Sequence, residues 1–103
     1  MIPSALSDFL EQLRDLADRA DRDRLLVLYP EFAREYPDVA RSIEGFVCAE
    51  TPEIGRERLF RDFPSLGVLW PFAPPEWRER LEIAFKFLHQ TLHGRIKHGK
   101  LIQ

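Results

Sequence analysis

Two aromatic–proline pairs recur along this chain at a fixed offset of 34 residues. Proline lacks the amide proton that a helix uses, and its ring disfavours a helical conformation in the residue before it. The first pair of each copy therefore predicts the end of a helix, with its proline at the first position of a new short turn, and the second pair predicts a further break seven residues later. The pairs are Tyr29-Pro30 and Tyr36-Pro37 in the first copy, and Phe63-Pro64 and Trp70-Pro71 in the second. This spacing predicts a degenerate two-copy helical hairpin, with units at 21–54 and 55–88.

Apolar residues follow the helical period through most of the chain, and no segment shows a convincing strand pattern. Amphipathic helices are predicted over Ser4–Ala20, Pro37–Ala49 and 75–93, besides the leading helices of the two units, which should end near Tyr29 and Phe63. Thr51, followed by a proline and an acid, is a good start for the second leading helix. The expected fold is all-α, a compact bundle of about five helices in a single domain spanning 1–103.

Composition places the chain among globular proteins, because 45% of its residues are hydrophobic and 31% are charged. Its size is sufficient for one core without disulfides or a structural metal. Cys48 is the only cysteine and has no partner for an internal disulfide, which fits a reducing compartment. No apolar run reaches the length of a membrane span, and the N-terminus does not resemble a secretory signal. We therefore expect a cytoplasmic protein that does not bind membranes.

The last predicted helix has an unusually broad apolar side. Ile83 and Phe87 widen its apolar arc to about 220°, roughly twice what a surface helix needs. Either this helix is central in the bundle, or part of it is covered by another chain.

The segment from Leu66 to Pro75 is rich in large apolar residues and broken by prolines. One interpretation is a lid whose aromatic side chains close the core. The other is an exposed surface that binds a protein partner or a second copy of the chain. The second interpretation predicts a small protein-interaction or regulatory module, similar in kind to an adaptor, inhibitor or antitoxin. The expected contact residues are Leu69, Trp70, Phe72, Trp77, Ile83 and Phe87.

Charge is distributed unevenly along the chain. Residues 1–82 contain all 17 acidic residues, whereas residues 83–103 contain only basic ones. A basic C-terminal tail at 94–103 allows an alternative hypothesis of nucleic-acid association through phosphate contacts. The residues that would make those contacts are Lys86, Arg95, Lys97 and Lys100.

His89 and His93 lie four residues apart on the last helix, a spacing that metal ligands use, and His98 follows. They fall on a polar stripe with Lys86, so we expect a solvated face and no metal. Cys48 is expected to be exposed near a helix C-terminus, where a reactive thiolate is disfavoured. No phosphate loop, catalytic triad or metalloprotease motif is present in the sequence. We therefore expect a non-enzymatic protein that needs no cofactor.

Overall fold

A computed structural model describes residues 3–97, 100 and 101, with side chains for 3–96. This part of the chain contains six α-helices, one 3-10 turn at Trp70–Phe72 and two strands of two residues each. The helices are α1 (Ser4–Arg19), α2 (Arg22–Glu35), α3 (Pro37–Cys48), α4 (Pro52–Asp62), α5 (Pro64–Leu69) and α6 (Pro75–Leu92). The strands β1 (Ile96–Lys97) and β2 (Lys100–Leu101) pair antiparallel, with Lys97 opposite Lys100. The fold is thus an all-helical bundle, as predicted, measuring 38 × 27 × 26 Å.

Local sequence signals fix most of the helix ends. Four helices, α3 to α6, begin with proline in the first turn, where its missing amide proton costs nothing. The Thr51 hydroxyl accepts a hydrogen bond from the Ile54 amide at 3.2 Å, and the Asp21 carboxylate accepts one from the Arg24 amide at 3.1 Å. These side chains satisfy amides that have no partner within the first turn of α4 and α2.

Pro30 does not end a helix, contrary to the prediction. Helix α2 continues through it to Glu35, whereas α4 does end at Asp62, with Phe63 as its C-cap before Pro64. Leu25, Tyr29 and Phe32 are all buried, so both halves of α2 pack into the same core on either side of Pro30. This packing outweighs the lost backbone hydrogen bond and the ring clash, which cost about 3 kcal/mol. The sixth helix, α5, lies beyond the break at Pro64, in a segment where no helix was predicted.

Helix α6 is central in the bundle, because it packs against α1, α2, α3 and α4. Its broad apolar side is buried almost entirely within the chain, and Phe87 is only 8% exposed. The expectation that Phe87 lies on an exposed flank is therefore wrong, since neighbouring helices cover it. Ile83 does remain 51% exposed. No helix in the described residues is long and apolar enough to cross a membrane.

Candidate functional site

The structure divides the Leu66 to Pro75 segment into a lid and an exposed part. Trp70 is half-buried and belongs to the lid. Its ring centroid lies 5.3 Å from that of Phe60, 6.0 Å from that of Trp77 and 6.1 Å from that of Phe85. The Arg56 guanidinium lies over the same ring, 5.3 Å from its centroid, and forms an ion pair with Glu82 at 2.6 Å. Trp70 is thus held by aromatic and cation–π contacts that close the core.

The exposed part consists of Val68, Leu69 and Phe72, which are 65%, 54% and 84% exposed. Because α5 continues into the 3-10 turn with helical backbone angles at Trp70, residues three and four apart project from the same side. The three side chains therefore form one continuous strip, here named the apolar ridge. Between Phe63 and Pro75 the chain has no charged residue. Among residues 3–96, the other large exposed apolar residues are scattered over different parts of the fold: Val27, Tyr36, Ile54 and Ile83.

A groove of about 290 Å³ lies beside the ridge, between α1, α5 and α6. It is here named the α1 groove, and Leu69 belongs both to it and to the ridge. Three buried leucines and Trp77 make it mostly apolar, whereas Ser7, Glu11 and Arg14 of α1 make its wall polar. The leucines are Leu10, Leu66 and Leu81. The groove is at the lower limit of the size of small-molecule sites, and it fits one or two apolar side chains of a partner.

The α1 wall of the groove has two charges of opposite sign. Glu11 is exposed and Arg14 is half-buried. Neither forms an ion pair with any residue from 3 to 96. The Arg14 Nε atom is buried and lacks a hydrogen-bond acceptor in the same part of the chain. A buried donor without an acceptor lowers the free energy of unfolding.

The structure brings together only some of the six predicted contact residues. Leu69 and Trp77 line one groove, and Phe72 adjoins it on the ridge. Trp70 lies in the lid below. Ile83 follows Leu81 by two residues, which places it on the opposite side of α6 from the groove. Phe87 is buried, as noted above. The sequence did not single out Val68, or the contribution of α1.

Among the predicted phosphate contacts, Lys86 and Arg95 are exposed. The side chains of Lys97 and Lys100, and all of His98, lie outside the described part. Lys86 lines a separate recess of about 100 Å³ together with the Arg56–Glu82 pair. Because acidic residues share this recess with the basic ones, it does not form a uniformly positive surface.

The expectation of a solvated face is wrong for His89, which is buried, whereas His93 is exposed. His89 is 7% exposed, and its Nε2 atom donates a hydrogen bond to the Ala49 carbonyl at 2.8 Å. The Nδ1 atom of His93 donates to the Val47 carbonyl, also at 2.8 Å, and the two rings stack with centroids 4.5 Å apart. Both histidines therefore satisfy carbonyls that the C-terminus of α3 leaves unpaired. No group of three or more potential metal ligands occurs in the described residues.

Tyr29 and Cys48 are the other groups with chemical interest. The Tyr29 hydroxyl donates to the Ala40 carbonyl at 3.4 Å. Burial first, and then the nearby Glu44 and Cys48, raise the pKa of Tyr29 to about 12. Tyr29 is therefore protonated at neutral pH and has a structural role. Cys48 is exposed, as predicted.

Comparisons with protein families, with characterised proteins and with solved structures find no match for this chain. The functional argument therefore depends on the ridge, the groove and their charges.

Proposed function

We propose that this protein is a small helical protein-interaction module with a regulatory role, which binds a protein through the apolar ridge and the α1 groove. The observation that carries the proposal is the continuous exposure of Val68, Leu69 and Phe72 beside a groove lined by leucines. Large contiguous apolar patches are uncommon on monomeric proteins, and the largest patch on a monomer is often a functional surface. Burial of Phe72 by a partner would remove from water the most exposed large apolar side chain among residues 3–96.

The support beneath the ridge favours binding as well. Trp70 and Trp77 pack against each other below it, and Arg56 covers Trp70. A ridge fixed in this way loses little conformational entropy on association, which strengthens binding. Phe72, Leu69 and Trp77 are the expected anchors, because aromatic side chains dominate the energetics of most interfaces.

The proposal is tested by placing a photo-cross-linking amino acid at Phe72 in the intact protein, inside its native cell. A matched variant carries the cross-linker at Val27, an exposed apolar position on α2 far from the groove in sequence. We expect a discrete cross-linked protein product from position 72 and none from position 27. Equal products from both positions, or none from either, would contradict the proposal.

Nucleic-acid association through Lys86, Arg95, Lys97 and Lys100 is the second candidate. The antiparallel pairing favours it, because it places Lys97 directly opposite Lys100. Residues 83–103 contain basic residues and no acidic residue, a composition that favours phosphate contacts. Binding of a labelled oligonucleotide should then weaken steeply with salt and disappear in Lys97→Glu/Lys100→Glu. Unchanged binding in that variant would rule the candidate out.

The proposal needs neither the two-copy repeat at 21–54 and 55–88 nor a cytoplasmic location, and both stay predictions. The absence of enzymatic activity and of a cofactor is likewise a prediction.

A further inference from the structure

The interaction surface has an ordered layout along α1. Ser7, Leu10, Glu11 and Arg14 line the groove at spacings of three and four residues, so the groove follows α1 for two turns. Helix α5 forms another wall, and the ridge lies on α5 and the turn that follows it. The surface therefore consists of a charged rim on α1, an apolar groove and an apolar ridge.

The rim is complementary to itself. Glu11 and Arg14 have opposite charges and lie one helical turn apart. A two-fold rotation about an axis that crosses the groove makes two α1 helices antiparallel. If the axis passes between positions 11 and 14, Glu11 of each copy faces Arg14 of the other. The dimer also requires that the ridge of one copy meet the ridge of the other.

From this layout we propose that a second copy of the chain occupies the surface, as a symmetric dimer with antiparallel α1 helices. The inference rests on the proposed function, because it names the partner for the same ridge and groove. Two Glu11–Arg14 pairs form across the axis, and Phe72 of each copy is buried against the ridge of the other.

Three observations support a second copy. Arg14 lines the groove and forms no ion pair with any residue from 3 to 96, so a carboxylate from the other copy meets an uncompensated guanidinium charge there. The ridge is free of charge, so two ridges meet without like-charge repulsion. The net charge of −2 per chain opposes association only weakly. Self-complementary patches of this kind are what two-fold dimers require.

The test uses charge reversal and molar mass in solution, measured by light scattering on a sizing column. Glu11→Arg alone and Arg14→Glu alone each place like charges across the axis. We expect either variant to weaken the dimer by more than about 100-fold and to elute as a monomer. An equal mixture of the two variants restores opposite charges at every contact, so it should form a heterodimer. A folding defect would not produce this recovery.

Glu31→Arg and Arg34→Glu are the matched controls, because they reverse exposed charges at the same spacing on α2. Both should dimerise like the unmodified chain. Phe72→Ser removes an 84% exposed side chain, so it should abolish the dimer without unfolding the protein.

The inference is overturned by an unmodified chain that stays monomeric at high concentration, by single variants that dimerise normally, or by a mixture that remains monomeric. The cross-linking experiment tests the proposed function separately from the dimer. If the chain is monomeric and the cross-linker at position 72 captures a different protein, only the dimer fails. If position 72 captures nothing as well, both fail.

Discussion

Gly55 lies where α4 crosses α3, and its lack of a side chain sets how closely the two helices approach. A Cβ atom there would lie 2.5 Å from the Phe46 carbonyl oxygen and 2.8 Å from its ring. Alanine favours a helix over glycine by about 1 kcal/mol, but a clash with backbone cannot be relieved by rotating a side chain. We expect Gly55→Ala to lower the free energy of unfolding by roughly 1–2 kcal/mol in urea denaturation.

Gly45 on α3 is a matched control, because a Cβ atom there has open space around it. Gly45→Ala should raise the free energy of unfolding by up to about 1 kcal/mol. The two substitutions should therefore change the free energy of unfolding in opposite directions. A Gly55→Ala variant as stable as the unmodified chain would show that the helices are less closely packed than the structure has them.

Tyr29 makes stability depend on pH in the alkaline range. Its pKa is about 12 in the folded chain against 10 for an unperturbed tyrosine. The folded state therefore keeps this proton where the unfolded state has lost it. The protonated Tyr29 hydroxyl contributes fully to the free energy of unfolding below pH 10. This contribution is lost as the pH rises from 10 to 12, so the free energy of unfolding falls by roughly 2 kcal/mol.

Tyr29→Phe has no group to ionise at this position, so its stability should decline less over the same interval. Denaturation of both proteins at pH 9 and at pH 11.5 measures the difference, in which the titration of other groups cancels. Parallel pH profiles for the two proteins would contradict the assigned burial of the hydroxyl.

At the scale of elements, His89 connects α6 to the C-terminus of α3. His89→Phe retains a ring of similar shape but removes the donor to the Ala49 carbonyl, which belongs to a residue 1% exposed. The unsatisfied carbonyl should lower the free energy of unfolding by roughly 1–3 kcal/mol. Hydrogen exchange should also accelerate in the last turn of α3.

His93→Phe is the comparison, because His93 donates to Val47 in the same way but is exposed. Water replaces the donor there, so His93→Phe should lower the free energy of unfolding by less than His89→Phe does. Equal losses at the two positions would mean that burial does not determine the strength of these contacts.

Local sequence signals made some helix ends predictable, whereas others could not be predicted from the sequence. The starts at Pro37, Thr51 and Pro75 were predictable, because a capping residue or a first-turn proline acts on its own neighbours. The pairs Tyr29-Pro30 and Phe63-Pro64 are nearly identical, yet only the second ends a helix. Buried residues flank both prolines, so neither the proline nor the apolar periodicity of the sequence distinguishes the helix that continues from the one that ends.

Some residues of the candidate site were likewise predictable from local sequence, whereas others depend on how the helices pack. Leu69 and Phe72 were found from an excess of apolar residues within one segment. Arg14 and Leu10 were missed because they are distant in sequence, and only the docking of α1 beside α5 brings them to the groove. His89 was misjudged for a similar reason, since its acceptor lies 40 residues earlier in the chain.

The Leu66 to Pro75 segment contains both residues that close the core and residues that are exposed to solvent. Trp70 closes the core, whereas Phe72 projects from it, although only Pro71 separates them. Stability and association should therefore respond to different substitutions. Trp70→Ala removes contacts with Phe60, Trp77 and Phe85. We expect it to lower the free energy of unfolding by about 2–4 kcal/mol, as other large-to-small core substitutions do.

Phe72→Ala should change the free energy of unfolding of the monomer by less than about 0.5 kcal/mol, because the side chain is 84% exposed. The same substitution should weaken association markedly, since it removes the principal apolar anchor. Urea denaturation at low protein concentration measures the first quantity, and light scattering at high concentration measures the second. A Phe72→Ala variant that loses as much stability as Trp70→Ala would mean that the ridge belongs to the core and offers no surface to a partner.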